Sequence, residues 1–184
     1  MDLHHTTLGI IGMGRIGQGI AKRGLGFGMN VIYHNRKRLS ESDEKACGAR
    51  YVDKETLLRE ADHVVLVVPY SAESHHLIGA KEIALMKSTA TLVNIARGGI
   101  VDDAALAEAL KAKKIFAAGL DVYEGEPKVH PELLKLSNVV LAPHIASATE
   151  KTRRAMINLA VRNLRAALAG EKPPSLINTE LWKK

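Results

Sequence analysis

Thr7 to Lys37 reads T-L-G-I-I-G-M-G-R-I-G-Q-G-I-A-K-R-G-L-G-F-G-M-N-V-I-Y-H-N-R-K. Leu8 to Ile11 is a short apolar run of the kind that forms a buried strand, and it breaks into Gly12-Met13-Gly14-Arg15-Ile16-Gly17. That hexamer fits G-x-G-x-x-G. A helical stretch follows from Ile16 to Leu25, then a second apolar run from Val31 to Tyr33. Strand, glycine turn, helix and strand within about thirty residues is the context in which the motif carries meaning. Alone it could be an ordinary glycine turn. Here Gly12 permits the tight turn, Gly14 lets backbone approach a pyrophosphate, and Gly17 allows close packing of helix on strand. The helix N-terminus adds free N–H groups for the phosphates. The stretch therefore predicts a dinucleotide-binding unit.

The end of the second strand bears on which dinucleotide. NAD binders usually place Asp or Glu there to bond the ribose 2′-OH. This chain has Asn35, followed by Arg36, Lys37 and Arg38. An acid would repel a 2′-phosphate, Asn tolerates it, and a planar guanidinium can hold it with two hydrogen bonds. Arg36 and Arg38 are the candidate phosphate ligands, and NADP(H) is expected ahead of NAD(H). The competing reading is a solvated basic loop.

Working outward, strands and helices alternate to the end of the chain. Apolar runs at 64–68, 90–96, 115–122 and 139–142 read as strands, and helices are expected at 42–47, from Asp53 to about Glu60, at 80–86 and from Asp102 to Lys111. Such alternation predicts an α/β fold with a doubly wound parallel sheet of Rossmann type. Ser147-Ala148-Thr149-Glu150 matches the S-x-x-E capping box and is expected to open the longest helix, with Met156, Leu159, Ala160, Leu164, Ala167 and Leu168 along one face. The expected division is a dinucleotide-binding domain over 1–147, then a C-terminal helix and an extended tail over 148–184.

Composition narrows the function classes. The 184 residues are enough for one domain with a sizeable core, and 46% hydrophobic with 25% charged content is that of a globular protein. The net charge of +6 is dispersed, and with aromatics at 4% no stacking platform for nucleic acid accompanies it. The lone Cys47 excludes an internal disulfide and fits a reducing compartment, so cytoplasm is the default. No apolar run is long enough to span a membrane. His75 and His76 are adjacent, which on a regular helix makes sharing one metal difficult. No Cys or carboxylate cluster completes a site with them, so no metal is expected.

The chemistry sits at strand ends. In open α/β sheets ligands bind outside the carboxyl ends of the strands. Pro69 and Ala96 end two predicted strands there and are candidate cofactor contacts, as is Asp121. Arg97, Glu126 and His144 each follow a predicted strand. Taken singly they could be a turn cation, a loop acid and a satisfied histidine. Together they form a complete set for hydride transfer to a 2-keto acid. Arg97 can grip the substrate carboxylate and carbonyl. His144 can protonate the forming alkoxide near neutral pH, and Glu126 can orient the imidazole and favour its charged form.

Four segments in order, T-L-G-I-I-G-M-G-R-I-G-Q, L-V-N-I-A-R-G-G-I-V-D-D-A-A-L, A-A-G-L-D-V-Y-E-G-E-P and L-A-P-H-I-A-S-A-T, resemble the D-isomer-specific 2-hydroxyacid dehydrogenases. The resemblance runs from Thr6 to Gly170 and is nearest to glyoxylate/hydroxypyruvate reductases and 2-ketogluconate reductases, many of which prefer NADPH. It implies that Arg97 binds substrate, that Glu126 and His144 form the acid/base pair, and that the Arg15-Ile16 backbone meets the pyrophosphate. It also implies a homodimer built mainly through the cofactor domain. Family members carry a substrate domain mostly N-terminal to the glycine motif, and only six residues precede Thr7 here. The expectation is thus a cofactor-binding domain by itself. A non-catalytic dinucleotide-binding or regulatory module is the alternative, and a methyltransferase with a related glycine turn is more distant.

Overall fold

The structure, a computed structural model, describes residues 2–182. It comprises two compact units, Met1–Pro143 and His144–Lys184.

The first unit is built on a seven-stranded, all-parallel sheet. Its strands are β1 (Thr7–Ile11), β2 (Asn30–His34), β3 (Arg50–Tyr51), β4 (His63–Leu66), β5 (Thr91–Asn94), β6 (Ala117–Leu120) and β7 (Val139–Leu141). Their order across the sheet is β3-β2-β1-β4-β5-β6-β7. The chain works outward from β1 in one direction and then returns to its other side at β4. That reversal is the switch point beside which such sheets bind ligands. The helices are α1 (Arg15–Gly26), α2 (Glu41–Cys47), α3 (Lys54–Glu60), α4 (Ala80–Ile83) and α5 (Asp103–Lys111).

Side-chain alternation along the strands assigns the two faces. Leu8 and Ile10 of β1 join Val31 and Tyr33 of β2 in a cluster with Ala21 of α1 and Cys47 of α2. Ile11 and Ile32 point the other way, into a larger cluster with Val64, Leu66 and Leu92 beneath Leu57 and Leu58 of α3, Ile83 of α4, and Leu106 and Leu110 of α5. Cys47 is buried and unbridged, a small apolar side chain. Local signals start and stop the helices where the sequence suggests. Asp53 caps α3 by accepting from the Thr56 N–H, and Asp102 caps α5 through the Ala105 N–H. Ser40 caps α2, which Gly48 closes in the left-handed conformation at φ 61°.

Several boundaries differ from expectation. Strand β4 ends at Leu66, opposite Ile11 of β1 and Asn94 of β5, and the β-branched run beyond it keeps one further bond, from the Val67 N–H to the Ile11 carbonyl at 2.8 Å. Strand β3 has no counterpart among the apolar runs of the sequence, because its two residues are too few to show a periodicity. In the second unit, α6 (Glu150–Leu168) is capped by Thr149, whose hydroxyl accepts from the Thr152 N–H. Ser147 is not the cap: Ile145 and Ala148 close a separate turn at 2.9 Å, so Glu150 is the first helical residue and cannot complete an S-x-x-E box. The tail is not extended either. Asn163 Oδ1 accepts from the Ser175 N–H at 2.9 Å, folding the tail back along α6, and a 3-10 turn follows at Thr179–Leu181. No residue of α6 is buried, and Met156, Ile157, Leu164 and Leu168 are all more than half exposed.

Candidate functional site

The phosphate turn has the shape a dinucleotide needs. Gly12 sits at φ 104°, and a Cβ there would lie 2.6 Å from the Val67 carbonyl oxygen. A Cβ at Gly17 would stand 2.2 Å from the Gly12 carbonyl oxygen. Gly14 is the opposite case, with nothing within 4 Å of a built Cβ, so its outer side is open to an approaching group. Gly14 is also the N-cap of α1 and offers no side-chain bond, and no acid occupies the first turn. The N–H groups around Arg15 and Ile16 and the positive end of the helix dipole are thus left to an anion. Arg15 and Ile16 are both exposed. These residues fit a pyrophosphate.

Asn35 does more than leave out an acid. Its Oδ1 accepts from the Met13 N–H at 2.7 Å, tying the end of β2 to the glycine turn. Of the two candidate phosphate ligands, Arg36 is exposed and makes no hydrogen bond or ion pair among the described residues. Its charge reaches Glu73, whose carboxyl is held below its usual range first by the Ser71 hydroxyl and more weakly by Arg36.

Arg38 is already occupied. Its Nε and Nη2 both donate to Glu44 at 2.8 Å, a two-pronged contact, and the guanidinium lies 5.6 Å from the Tyr51 ring centroid. Glu44 accepts in addition from the fully buried Tyr33 hydroxyl at 2.6 Å, which in turn accepts from the Leu39 N–H. The Arg38 and Tyr33 donors pull the Glu44 carboxyl down to about 2, while burial, followed by the Glu44 contact, raises Tyr33 to about 12. Glu44 therefore keeps its charge, and its hold on Arg38, throughout the neutral range. The structure separates two arginines that look equivalent in sequence.

On the other side of the switch point, Pro69 is exposed and its carbonyl accepts from Ser74 at 2.9 Å. Ala96 is buried, and its N–H donates to Asn94 Oδ1 at 3.0 Å. The Asn94 amide also donates to the Arg97 carbonyl at 3.1 Å, so one side chain, itself 1% exposed, shapes the whole Arg97 loop. Arg97 is exposed, with Nη1 on the Ala96 carbonyl at 2.6 Å. This loop packs against the Tyr123–Glu126 loop so closely that Gly98 has no room for a side chain. Asp121 is buried at the end of β6. Glu126 is exposed, and its Oε1 accepts from the Tyr123 N–H at 3.0 Å. Buried Asp103 accepts from the Glu124 N–H at 3.0 Å, and desolvation raises its pKa. The cofactor-side candidates, Arg97 and Glu126 thus share the carboxyl edge of one sheet. His144 opens the second unit, exposed and at φ 54°.

Asn94 and Asp103 position the site and were not singled out from sequence. A polar residue ending the apolar run T-L-V-N is a usable signal for Asn94. The cap at Asp102 is a local signal, but nothing local shows that the next residue, Asp103, turns inward to the Glu124 N–H. The expectation that no carboxylate joins His75 and His76 also needs correction. Glu124 reaches His76 Nε2 at 3.0 and 3.1 Å, brought there from 48 residues away by the sheet.

Comparisons with known proteins bear on the family and the fold. Residues 1–146 match the model for the D-isomer specific 2-hydroxyacid dehydrogenase, NAD binding domain. The chain is 54% identical over 175 residues to a glyoxylate reductase of Thermococcus litoralis, covering 95% of this chain and 53% of that protein. It is 50% identical over 182 residues to glyoxylate/hydroxypyruvate reductase B of Salmonella newport, covering 98% and 56%. The crystal structure of a glyoxylate reductase from Paecilomyes thermophila superimposes with a TM-score of 0.90 at 42% identity, covering 98% of this chain and 54% of that one. The chain spans about half the length of the curated relatives it matches. A glycine turn fitted to pyrophosphate, an arginine and a glutamate on the same sheet edge, and this similarity over most of the chain lead to one statement: the chain belongs to the D-isomer specific 2-hydroxyacid dehydrogenase family and carries its NAD-binding domain.

Proposed function

We propose that these residues are the cofactor-binding part of a reductase that uses NADPH ahead of NADH and converts a 2-keto acid to the D-2-hydroxy acid. Glyoxylate, hydroxypyruvate and 2-ketogluconate are the candidate substrates. The observation that carries the cofactor choice is Asn35, bound to the Met13 N–H where an acid would face the ribose, with Arg36 exposed beside it. The reaction is supported by Arg97 and Glu126 on the edge that bears the phosphate turn, and by the names of the relatives above. A bound nicotinamide nucleotide supplies the hydride in such a reaction. Arg97 holds the substrate carboxylate. The His144 imidazole gives its proton to the carbonyl oxygen as that oxygen becomes an alkoxide, and Glu126 orients the ring and stabilises its charged form. The reading places the protein in the cytoplasm, in line with its buried, unbridged Cys47. Among the described residues no helix is long and apolar enough to cross a membrane.

The cofactor reading is tested by titration calorimetry. With Arg38 held by Glu44, Arg36 provides the charge-assisted bonds to a 2′-phosphate, worth about 1.5–3 kcal/mol each. At about 1.4 kcal/mol per tenfold, NADPH is expected to bind roughly ten to a hundred times more tightly than NADH. Arg36→Ala removes most of that margin and Arg38→Ala little of it. Equal affinities in the unmutated chain overturn the preference.

We also infer self-association, a homodimer in the simplest case. The exposed Met156, Ile157, Leu164 and Leu168 make α6 a sticky surface. Light scattering at high micromolar concentration is expected to show a mass above that of one chain. A monodisperse monomer contradicts it.

A further inference from the structure

We propose that His75, His76 and Glu124 form a binding site for a divalent cation of the zinc, nickel and copper class, beside the loop that carries Arg97. Their backbone is not a regular helix. The 3-10 turn Ala72–Ser74 ends before His75, which is extended at φ −62° and ψ 126°, and His76 is left-handed at φ 49°. That reversal stacks the two rings, with centroids 3.9 Å apart and planes 23° from parallel. Glu124 arrives from the loop after β6, and one ligand atom from each of the three residues lies within 4.8 Å of the other two.

The spacing suits an ion. His76 Nε2 and a Glu124 oxygen are 3.0 Å apart, close to the separation of neighbouring ligands on a metal with bonds of about 2.0–2.2 Å. Each histidine has an outer partner on its other nitrogen. The Tyr70 hydroxyl is 3.2 Å from His75 Nδ1, and an Asp102 oxygen is 3.9 Å from His76 Nδ1. The Tyr70 contact is within hydrogen-bonding range and can set the tautomer of a metal-bound His75, leaving its Nε2 for the ion, whereas Asp102 faces His76 as a nearby charge beyond hydrogen-bonding distance. Two imidazoles and one carboxylate favour zinc, nickel or copper over magnesium or calcium. Three protein ligands leave a coordination position for water.

Occupancy would tie together loops that bear the site residues. Glu124 is two positions before Glu126, and the His76 N–H donates to the Gly99 carbonyl at 2.7 Å, two positions after Arg97. A cation here acts as a staple on the Arg97 and Glu126 loops. The inference stands independently of the cofactor and substrate readings.

Calorimetry with zinc chloride on the purified 184-residue chain tests it, with magnesium chloride as the control cation. The His4 and His5 rings also lie close, with centroids 3.8 Å apart and planes tilted by 50°, so a His4→Gln/His5→Gln variant is titrated in parallel. The expected result is one equivalent of zinc in both proteins and no saturable binding of magnesium. His75→Ala and Glu124→Gln should each weaken zinc by about tenfold or more, and Tyr70→Phe by about tenfold. Cobalt should give a visible absorption band that His75→Ala removes, with circular dichroism confirming that each variant is folded. Absence of saturable zinc binding, unchanged affinity in both His75→Ala and Glu124→Gln, or loss of binding in the His4/His5 variant overturns the site.

Discussion

A polypeptide of these 184 residues is expected to bind NADPH and yet reduce hydroxypyruvate or glyoxylate at least about a thousandfold more slowly than a full-length relative. Holding a substrate in near-attack geometry can lower a barrier by about 7–11 kcal/mol. That requires walls around the substrate. Arg97, Glu126 and His144 are all exposed in this chain. A carboxylate meeting Arg97 in water gains little, since two charges 4 Å apart attract by only about 1 kcal/mol at the dielectric of water. The Arg97 guanidinium also rests on the Ala96 carbonyl, a contact it must exchange for substrate. These residues match 53% of the Thermococcus litoralis glyoxylate reductase, and whatever its other half adds to enclosure is not in the assay. On the proposed reading, cofactor binding rests on the glycine turn, Asn35 and Arg36, all of them among the described residues. Stopped-flow turnover alongside NADPH calorimetry separates the two properties, and His144→Ala should bring the residual rate to background. Turnover at an ordinary enzymatic rate of about 1–1000 per second would falsify the prediction.

The other large effect is on stability. Gly98→Ala should cost on the order of 4 kcal/mol or more, in the range reserved for severe core disruption. A Cβ on Gly98 would sit 1.7 Å from the Tyr123 carbonyl oxygen and 2.3 Å from its carbon, with the Glu124 nitrogen at 3.0 Å. These are backbone atoms, so no side chain can swing aside. The opposing backbone is also pinned. Tyr123 N–H donates to Glu126, Tyr123 Oη donates to the Ala142 carbonyl at 2.6 Å, and Glu124 N–H donates to Asp103. Relief means pulling the Arg97 loop from the Glu126 loop or breaking that set. At about 2–4 °C per kcal/mol for a chain of this size, Tm should fall by about 8–16 °C. Gly14→Ala is the control: it has an ordinary φ of −78° and nothing within 4 Å of the new atom, so Tm should barely move. A Gly98→Ala protein melting within about 2 °C of the parent would show that these loops yield far more readily than their contacts suggest.

How much of this was legible beforehand follows from the range of each interaction. The glycine turn, the alternation of apolar runs and the Asp53 and Asp102 caps are written within a few consecutive residues. They specify the parallel sheet and its carboxyl edge, because backbone conformation and hydrophobic period are local properties. The predicted strand ends likewise put Gly12, Asn35, Ala96, Arg97 and Glu126 on that edge. What stayed hidden was pairing between side chains. Arg36 and Arg38 are two residues apart and chemically alike, and only the fold of α2 against buried Tyr33 gives Arg38 to Glu44 and leaves Arg36 exposed. Glu124 meets His76 across 48 residues because the sheet brings the ends of β4 and β6 to one side. Asn94 became a bracket for the Arg97 loop only once burial left its amide no partner but that backbone. Even the start of α6 moved from Ser147 to Thr149, since a preceding turn at Ile145–Ala148 used the backbone the capping box required. Local chemistry decides which elements form and where they end within a residue or two. Partners far apart in the chain meet only when those elements pack, and that packing determines which charged groups are already taken and which remain for a ligand.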